Sequence, residues 1–145
     1  MDYSVYCDGA ISVNPGGVAV YAFAVEASGR VIQSDAGEIG SGDGMSCNVA
    51  EYFAVLNALL WLKRQGGKAK IYTDSQLVEK QVNEKWRIKT EHLRPLVTQV
   101  RDLLKSTNST LAWIPRTQNR RADALASQAL GEATINIERT REGYE

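Results

Sequence analysis

The chain has 145 residues, 43% of them hydrophobic, with 17 Lys and Arg against 17 Asp and Glu. That length suits one domain with a real core, and that balance suits a soluble globular protein. The longest apolar run, "ALLWL", falls far short of a membrane span, and "MDYSVYCDGA" lacks the basic and apolar regions of a signal peptide.

Residues 3 to 38 hold three strand-like runs. "YSVYCDGA" alternates, with Tyr3, Val5 and Cys7 on one face. "NPGG" (14–17) reads as a turn, because Pro15 fixes φ and Gly16 accepts φ > 0. "VAVYAFAVE" is nearly all apolar or small, as a central strand requires, "EASGR" (26–30) makes a hairpin turn, and "VIQSDAGEIG" returns. Together they predict an antiparallel meander.

A glycine-rich loop, "GSGDGMSCN" (40–48), leads into "NVAEYFAVLNALLWLKRQGG". There Val49, Phe53, Leu56 and Leu60 form a helical stripe that Gly66 and Gly67 stop. "KAKIYTD" is a short strand reached through a helix, hence a parallel crossover. Two helices follow, "SQLVEKQVNEKW" with Leu77, Val78 and Val82 inward, and "HLRPLVTQVRDLLKS" with Leu96, Val100, Leu103 and Leu104 inward. "STLAWIPR" is a strand, and "QNRRADALASQALG" a helix ended by Gly131. The tail 132–145 offers a short strand ("TINIE") or frays. The order βββ-α-β-αα-β-α predicts an α/β domain, a mixed sheet with helices on its faces. Trp61 and Trp113 read as core.

The two cysteines, Cys7 and Cys47, are expected as reduced thiols and the compartment as cytosolic, since no export signal is seen. A single histidine, His92, argues against a histidine metal site or a Ser–His–Asp triad. Several acids sit where apolar runs stop: Asp8 beside Gly9, Glu51 one turn into the first long helix, Asp74 in "YTDSQLV", and Asp123 four residues after Asn119. Carboxylates gathered on one sheet edge would repel unless divalent cations neutralised them. Hard oxygen ligands favour Mg²⁺ or Mn²⁺ over Zn²⁺. Spacing alone does not select these four from the 17 acids, most of which are solvated caps or turn residues. Committing four acids to metal would leave 17 basic against 13 acidic residues, a remainder of +4, so zero net charge does not exclude a polyanionic partner.

The pieces "YCDGA…NPG" (6–16), "NVAEYFA" (48–54), "YTDSQLV" (72–78) and "NRRADALA" (119–126) occur in order along nearly the whole chain. Together they resemble type 1 ribonuclease H. The resemblance implies the ribonuclease H-like fold, a five-stranded mixed sheet in which a meander of three strands is joined by two parallel strands. It makes 1–131 the catalytic domain. It implies an endonuclease that hydrolyses the RNA strand of RNA–DNA hybrids through two Mg²⁺ or Mn²⁺ ions, leaving 5′-phosphate and 3′-hydroxyl ends, and it implies a monomer. Asp8, Glu51, Asp74 and Asp123 become the metal ligands by motif position. Asn14, Asn48 and Gln76 match polar residues that read the hybrid's minor groove, where 2′-hydroxyls mark RNA. Ser46 matches a hydroxyl that grips a phosphate of the DNA strand, with backbone amides of the glycine-rich loop assisting. Asn48 has a second reading as a helix N-cap, and Asn14 as a turn residue.

The chain departs from better-known members in three places. The loop before the last helix, "PRTQN" (115–119), lacks their histidine, and Arg116 is the candidate substitute as a fixed cation. Their basic protrusion is missing; "NEKWRIKTEHLRP" (83–95) takes its place. There Lys85, Arg87 and Lys89 flank Trp86, either a stacking platform or a core residue. Cys47 and Val49 stand where asparagine and arginine are common. These features resemble the compact archaeal-type subgroup, some of whose members cut double-stranded RNA. Two rivals remain: a non-catalytic nucleic-acid-binding module on the same fold, and a DNA-acting transposase or integrase core.

Overall fold

The computed structural model describes the backbone of residues 2–141 and the side chains through residue 136. In chain order come β1 (Asp2–Ile11), β2 (Val18–Ala27), β3 (Arg30–Ser41), α1 (Cys47–Gln65), β4 (Lys68–Thr73), α2 (Gln76–Val82), α3 (Arg94–Ser106), β5 (Thr110–Trp113) and α4 (Arg120–Arg141). Short 3₁₀ turns at Glu91–Leu93 and Arg116–Gln118 precede α3 and α4. The sheet order is β3-β2-β1-β4-β5. The β1–β2 and β2–β3 pairs are antiparallel; β1–β4 and β4–β5 are parallel. This is the expected mixed five-stranded sheet, with β1 at its centre.

Two-sided burial explains the apolar density of β2. Phe23 and Val25 face the main core with Tyr3, Val5 and Cys7, under α1. Val18 and Val20 face a smaller cluster under α4, with Ala133. The β2–β3 hairpin closes on Ser28 and Gly29, both at positive φ (52° and 76°), the geometry whose twist matches antiparallel strands. Among the described residues, no helix is long and apolar enough to cross a membrane.

Four expectations need correction. One residue of the stripe read for α1 is misplaced: Val49 and Leu56 are buried and Phe53 packs on the core, but Leu60 is exposed, while Val55, Leu59 and Leu62 are fully buried. That helix is buried on more than one side, so several 3.6-residue stripes fit it. The second helix stops at Val82 instead of running to Trp86. Trp113 is 38% exposed at the sheet edge and is not core. Finally, Gly131 does not end α4, which runs to Arg141 through the "TINIE" segment. A glycine inside a helix costs about 1 kcal/mol. Burial of Ala133 against Val18 and Val20 offsets it. The last four residues, 142–145, lie outside the described part.

Candidate metal centre and adjoining groove

Strands β1 and β4 run parallel with Cys7 opposite Thr73. The next residues in step are Asp8 and Asp74, so the register alone brings two carboxylates side by side. Glu51 comes from the first turns of α1, which crosses β1 at Gly9. A Cβ on Gly9 would stand 2.4 Å from the Ala50 carbonyl carbon and 2.6 Å from the Glu51 nitrogen. Only glycine permits this approach. The Gly9 N–H then donates to both Asp8 Oδ1 (3.0 Å) and Glu51 Oε1 (3.1 Å).

Asp8, Glu51 and Asp74 each offer an oxygen within 4.8 Å of the others. Asp8 is 2% and Glu51 6% exposed. Glu51 Oε2 is buried with no hydrogen-bond partner. Among the described residues none of these three acids has an ion pair. Burial first, then the Asp74 carboxylate, push Asp8 up to about 7. Burial, Asp8 and Asp74 likewise hold Glu51 well above the usual carboxylate range. Such a cluster wants positive charge, either protons or cations. Oxygen-only donors and an orphaned buried lone pair fit a hard divalent ion.

Asn119 locks the edge together. Fully buried, its Nδ2 donates to the Cys7 carbonyl (2.8 Å) and to Asp74 Oδ2 (3.1 Å), tying the start of α4 to β1 and β4. Asp123 follows one turn later and sits half-exposed at the rim, near enough to add to the upward shift of Asp8. It is outside the tight group of three. The Arg116 guanidinium, largely exposed, stands 3.7 Å from Asp123 Oδ1 and lines the same cleft. Sequence reasoning noted Asn119 only as a marker for Asp123. Its partners lie up to 112 positions away, and no local signal announces them.

Other residues expected at the site take particular places. Ser46, not Asn48, is the N-cap of α1: its Oγ accepts from the Val49 N–H at 3.1 Å. That leaves Asn48 exposed on the first turn, lining both the carboxylate cleft and a neighbouring groove. Asn14 Oδ1 accepts from the Cys47 N–H (3.0 Å), fastening the 14–17 turn to α1. The loop amides of Gly42, Met45 and Cys47 already donate within the protein, so they cannot cradle a phosphate. Gln76 is exposed on the first turn of α2, two residues after Asp74. Both cysteines are free thiols, Cys47 lining the cleft. Trp86 is 46% exposed, which discards its core reading. It lines a groove of about 590 Å³ with Asn48, Gln81, Lys85, Arg87 and Lys89.

Comparison with known proteins agrees with this geometry. Residues 6–129 match the family described as "Reverse transcriptase-like". The chain is 36% identical to the ribonuclease HI of Halobacterium salinarum over 88% of its own length, and spans 64% of that protein. Among solved structures, the N-terminal RNase H domain of Rv2228c from Mycobacterium tuberculosis superposes with a TM-score of 0.84 at 28% identity, covering 94% of this chain and 98% of that one. LC11-RNase H1, solved in complex with an RNA/DNA hybrid, superposes at 0.82 with 25% identity, covering 91% and 99%.

Proposed function

We propose, from the premise that the chain belongs to the reverse transcriptase-like family and carries a ribonuclease H-type domain, that it is a metal-dependent endoribonuclease acting on RNA–DNA hybrids. The observation that carries this is the group of three carboxylates within 4.8 Å, drawn from three distant segments and without an ion pair among the described residues. Asp8, Glu51 and Asp74 would hold Mg²⁺ or Mn²⁺, two ions in all, with Asp123 contributing from the rim. Such ions, when bound, neutralise phosphate charge, acidify a water and stabilise the leaving oxygen.

The protein's own groups supply position. Gly9 fixes one oxygen each of Asp8 and Glu51, and Asn119 fixes Asp74, so the donors need little rearrangement. Arg116, at the cleft mouth, meets a backbone phosphate as a permanent cation. Asn48 stands between cleft and groove, where a minor-groove edge passes. Gln76 and Asn14 read neighbouring positions of that edge. The Ser46 hydroxyl spends its lone pair on the helix and keeps its proton for a phosphate. Trp86 among Lys85, Arg87 and Lys89 receives the DNA strand by stacking and charge.

The test is a labelled hybrid incubated with Mg²⁺, with Mn²⁺ and with chelator, beside double-stranded RNA and a DNA duplex. The RNA strand of the hybrid is expected to be cut to 5′-phosphate and 3′-hydroxyl products only with metal. Asp74→Asn is expected to abolish cutting while circular dichroism stays native. Hybrid binding without cutting in either metal would assign the chain to the non-catalytic modules. Cutting of the DNA duplex would place it with the DNA-acting relatives.

A further inference from the structure

One buried acid lies outside the carboxylate cleft and belongs to the groove. Glu79, in α2, is 3% exposed. Its Oε1 receives the Lys80 ammonium at 2.7 Å, and its Oε2 receives the Lys85 ammonium at 3.1 Å and Asn83 Nδ2 at 2.8 Å. The same Asn83 Nδ2 reaches the Leu111 carbonyl of β5 at 3.0 Å. Burial works to raise the Glu79 pKa, but the Lys80, Asn83 and Lys85 bonds outweigh it and hold the group at about 2. Glu79 is therefore an anion at every working pH.

Three of its surroundings belong to one turn. The chain leaves α2 through Asn83 and reverses at Glu84, a non-glycine residue at φ 62°. Lys85 and Trp86 then both donate their amides to the Lys80 carbonyl, at 2.8 and 3.1 Å. A left-handed φ in a side-chain-bearing residue is unfavourable and persists only where the surroundings hold it. The carboxylate of Glu79 binds residues before and after that reversal at once. Trp86 and Lys85, which line the groove, are the residues that the reversal presents.

We infer that Glu79 is a positioning residue, whose carboxylate ties Lys80, Asn83 and Lys85 into one knot and so fixes the turn that presents Trp86 to the groove. It sets the affinity for the hybrid and leaves the chemical step alone, because it touches none of the clustered acids. The inference rests on the proposed reading of the groove as the hybrid's binding surface.

Glu79→Gln and Lys85→Met in the full chain test it by two routes. Amide exchange without substrate reads the turn directly. Both variants are expected to speed exchange at Lys85 and Trp86 by about tenfold, as a local opening made easier. On the hybrid, Glu79→Gln is expected to raise KM about fivefold with kcat within about twofold of wild type, the pattern of lost ground-state binding. The double variant is expected to bind no worse than Lys85→Met alone, since both changes act on one knot. Unchanged exchange in both variants overturns the inference whatever the substrate proves to be. So does a Glu79→Gln enzyme with lowered KM, which would make Glu79 merely a mask over two cations. Should the wild type neither bind nor cut hybrid, the functional reading fails, and the exchange result still decides whether the knot holds the turn.

Discussion

Asp8→Asn removes a charge that the metal-free fold holds at a cost. Burial, then the Asp74 carboxylate, raise Asp8 from 3.8 to about 7. A folded pKa above the unfolded one means that the folded state keeps its proton longer. Between about pH 4 and pH 7 it therefore binds more protons than the unfolded chain, and stability falls as pH rises through that window. Below the window the penalty is absent; above it the penalty is complete. A rise of roughly three units corresponds to about 4 kcal/mol, at ~1.4 kcal/mol per unit. Asp8 and Glu51 share protons, so the gain from removing one charge is about 2–4 kcal/mol. Asparagine keeps an oxygen for the Gly9 N–H, so that hydrogen bond survives the exchange.

At roughly 3 °C per kcal/mol for a domain of this size, the variant's Tm is expected to rise by about 6–12 °C at pH 8.5 in EDTA. At pH 5 the difference shrinks, because the wild-type acid is by then protonated. Thermal unfolding followed by circular dichroism at the two pH values measures both. Millimolar Mn²⁺ is expected to raise the wild-type Tm at pH 8.5 by mass action, and to raise the variant's far less. A variant no more stable than wild type at pH 8.5 in EDTA would refute the reasoning, since Asp8 would then not be a crowded, desolvated charge.

Three other substitutions probe the frame around that charge. Arg116→Ala is expected to lower multiple-turnover cleavage of hybrid severalfold, as an exposed phosphate contact would; an unchanged rate would make Arg116 a solvated loop residue. Asn119→Ala leaves the Cys7 carbonyl without its side-chain donor and is expected to cost about 1–3 kcal/mol in urea unfolding. It is also expected to weaken Mn²⁺ binding by calorimetry, because Asp74 loses its anchor. Gly9→Ala forces a methyl group into the Ala50 backbone, and is expected to yield little folded protein by the two-dimensional amide spectrum, where Gly37→Ala, against only the movable Tyr21 ring, folds.

What the sequence made legible follows from what is local. The apolar density of β2 signalled a strand covered on both sides, and the Gly66 stop of α1 stood as read, with φ at 86°. The edge positions of Asp8 and Asp74 were visible because apolar runs end there. Their adjacency was not, since it depends on Cys7 pairing with Thr73 across 66 residues of chain. Choosing the acids needed the assembled motifs. Gly131 misled for the opposite reason: a local stop signal lost to packing of Ala133 on a strand more than 100 residues earlier. Trp86 and Trp113 could not be sorted by residue type, because exposure is decided by whether another element covers them. Ser46 rather than Asn48 caps α1 because the helix begins two residues earlier than read, and a helix start is its least determined feature.

Two of the three buried acids among the described residues show how partners set the charge of a carboxylate. Glu79 and Asp8 are alike in residue class and in burial, yet one is held at about 2 and the other at about 7. Burial raises both; the difference lies in the partners, two ammonium groups and an amide for Glu79, other carboxylates for Asp8. A carboxylate already satisfied has a structural use, and a carboxylate left among its own kind calls for a proton or a cation. The two places are joined rigidly. Tyr52, fully buried and next to Glu51 in α1, donates its hydroxyl to Gln81 Oε1 at 2.7 Å. Arg101 of α3 pins the Gln81 and Val82 carbonyls at 2.6 and 3.0 Å. Through these hydrogen bonds the α2 side of the groove is tied to the segment of α1 that carries Glu51.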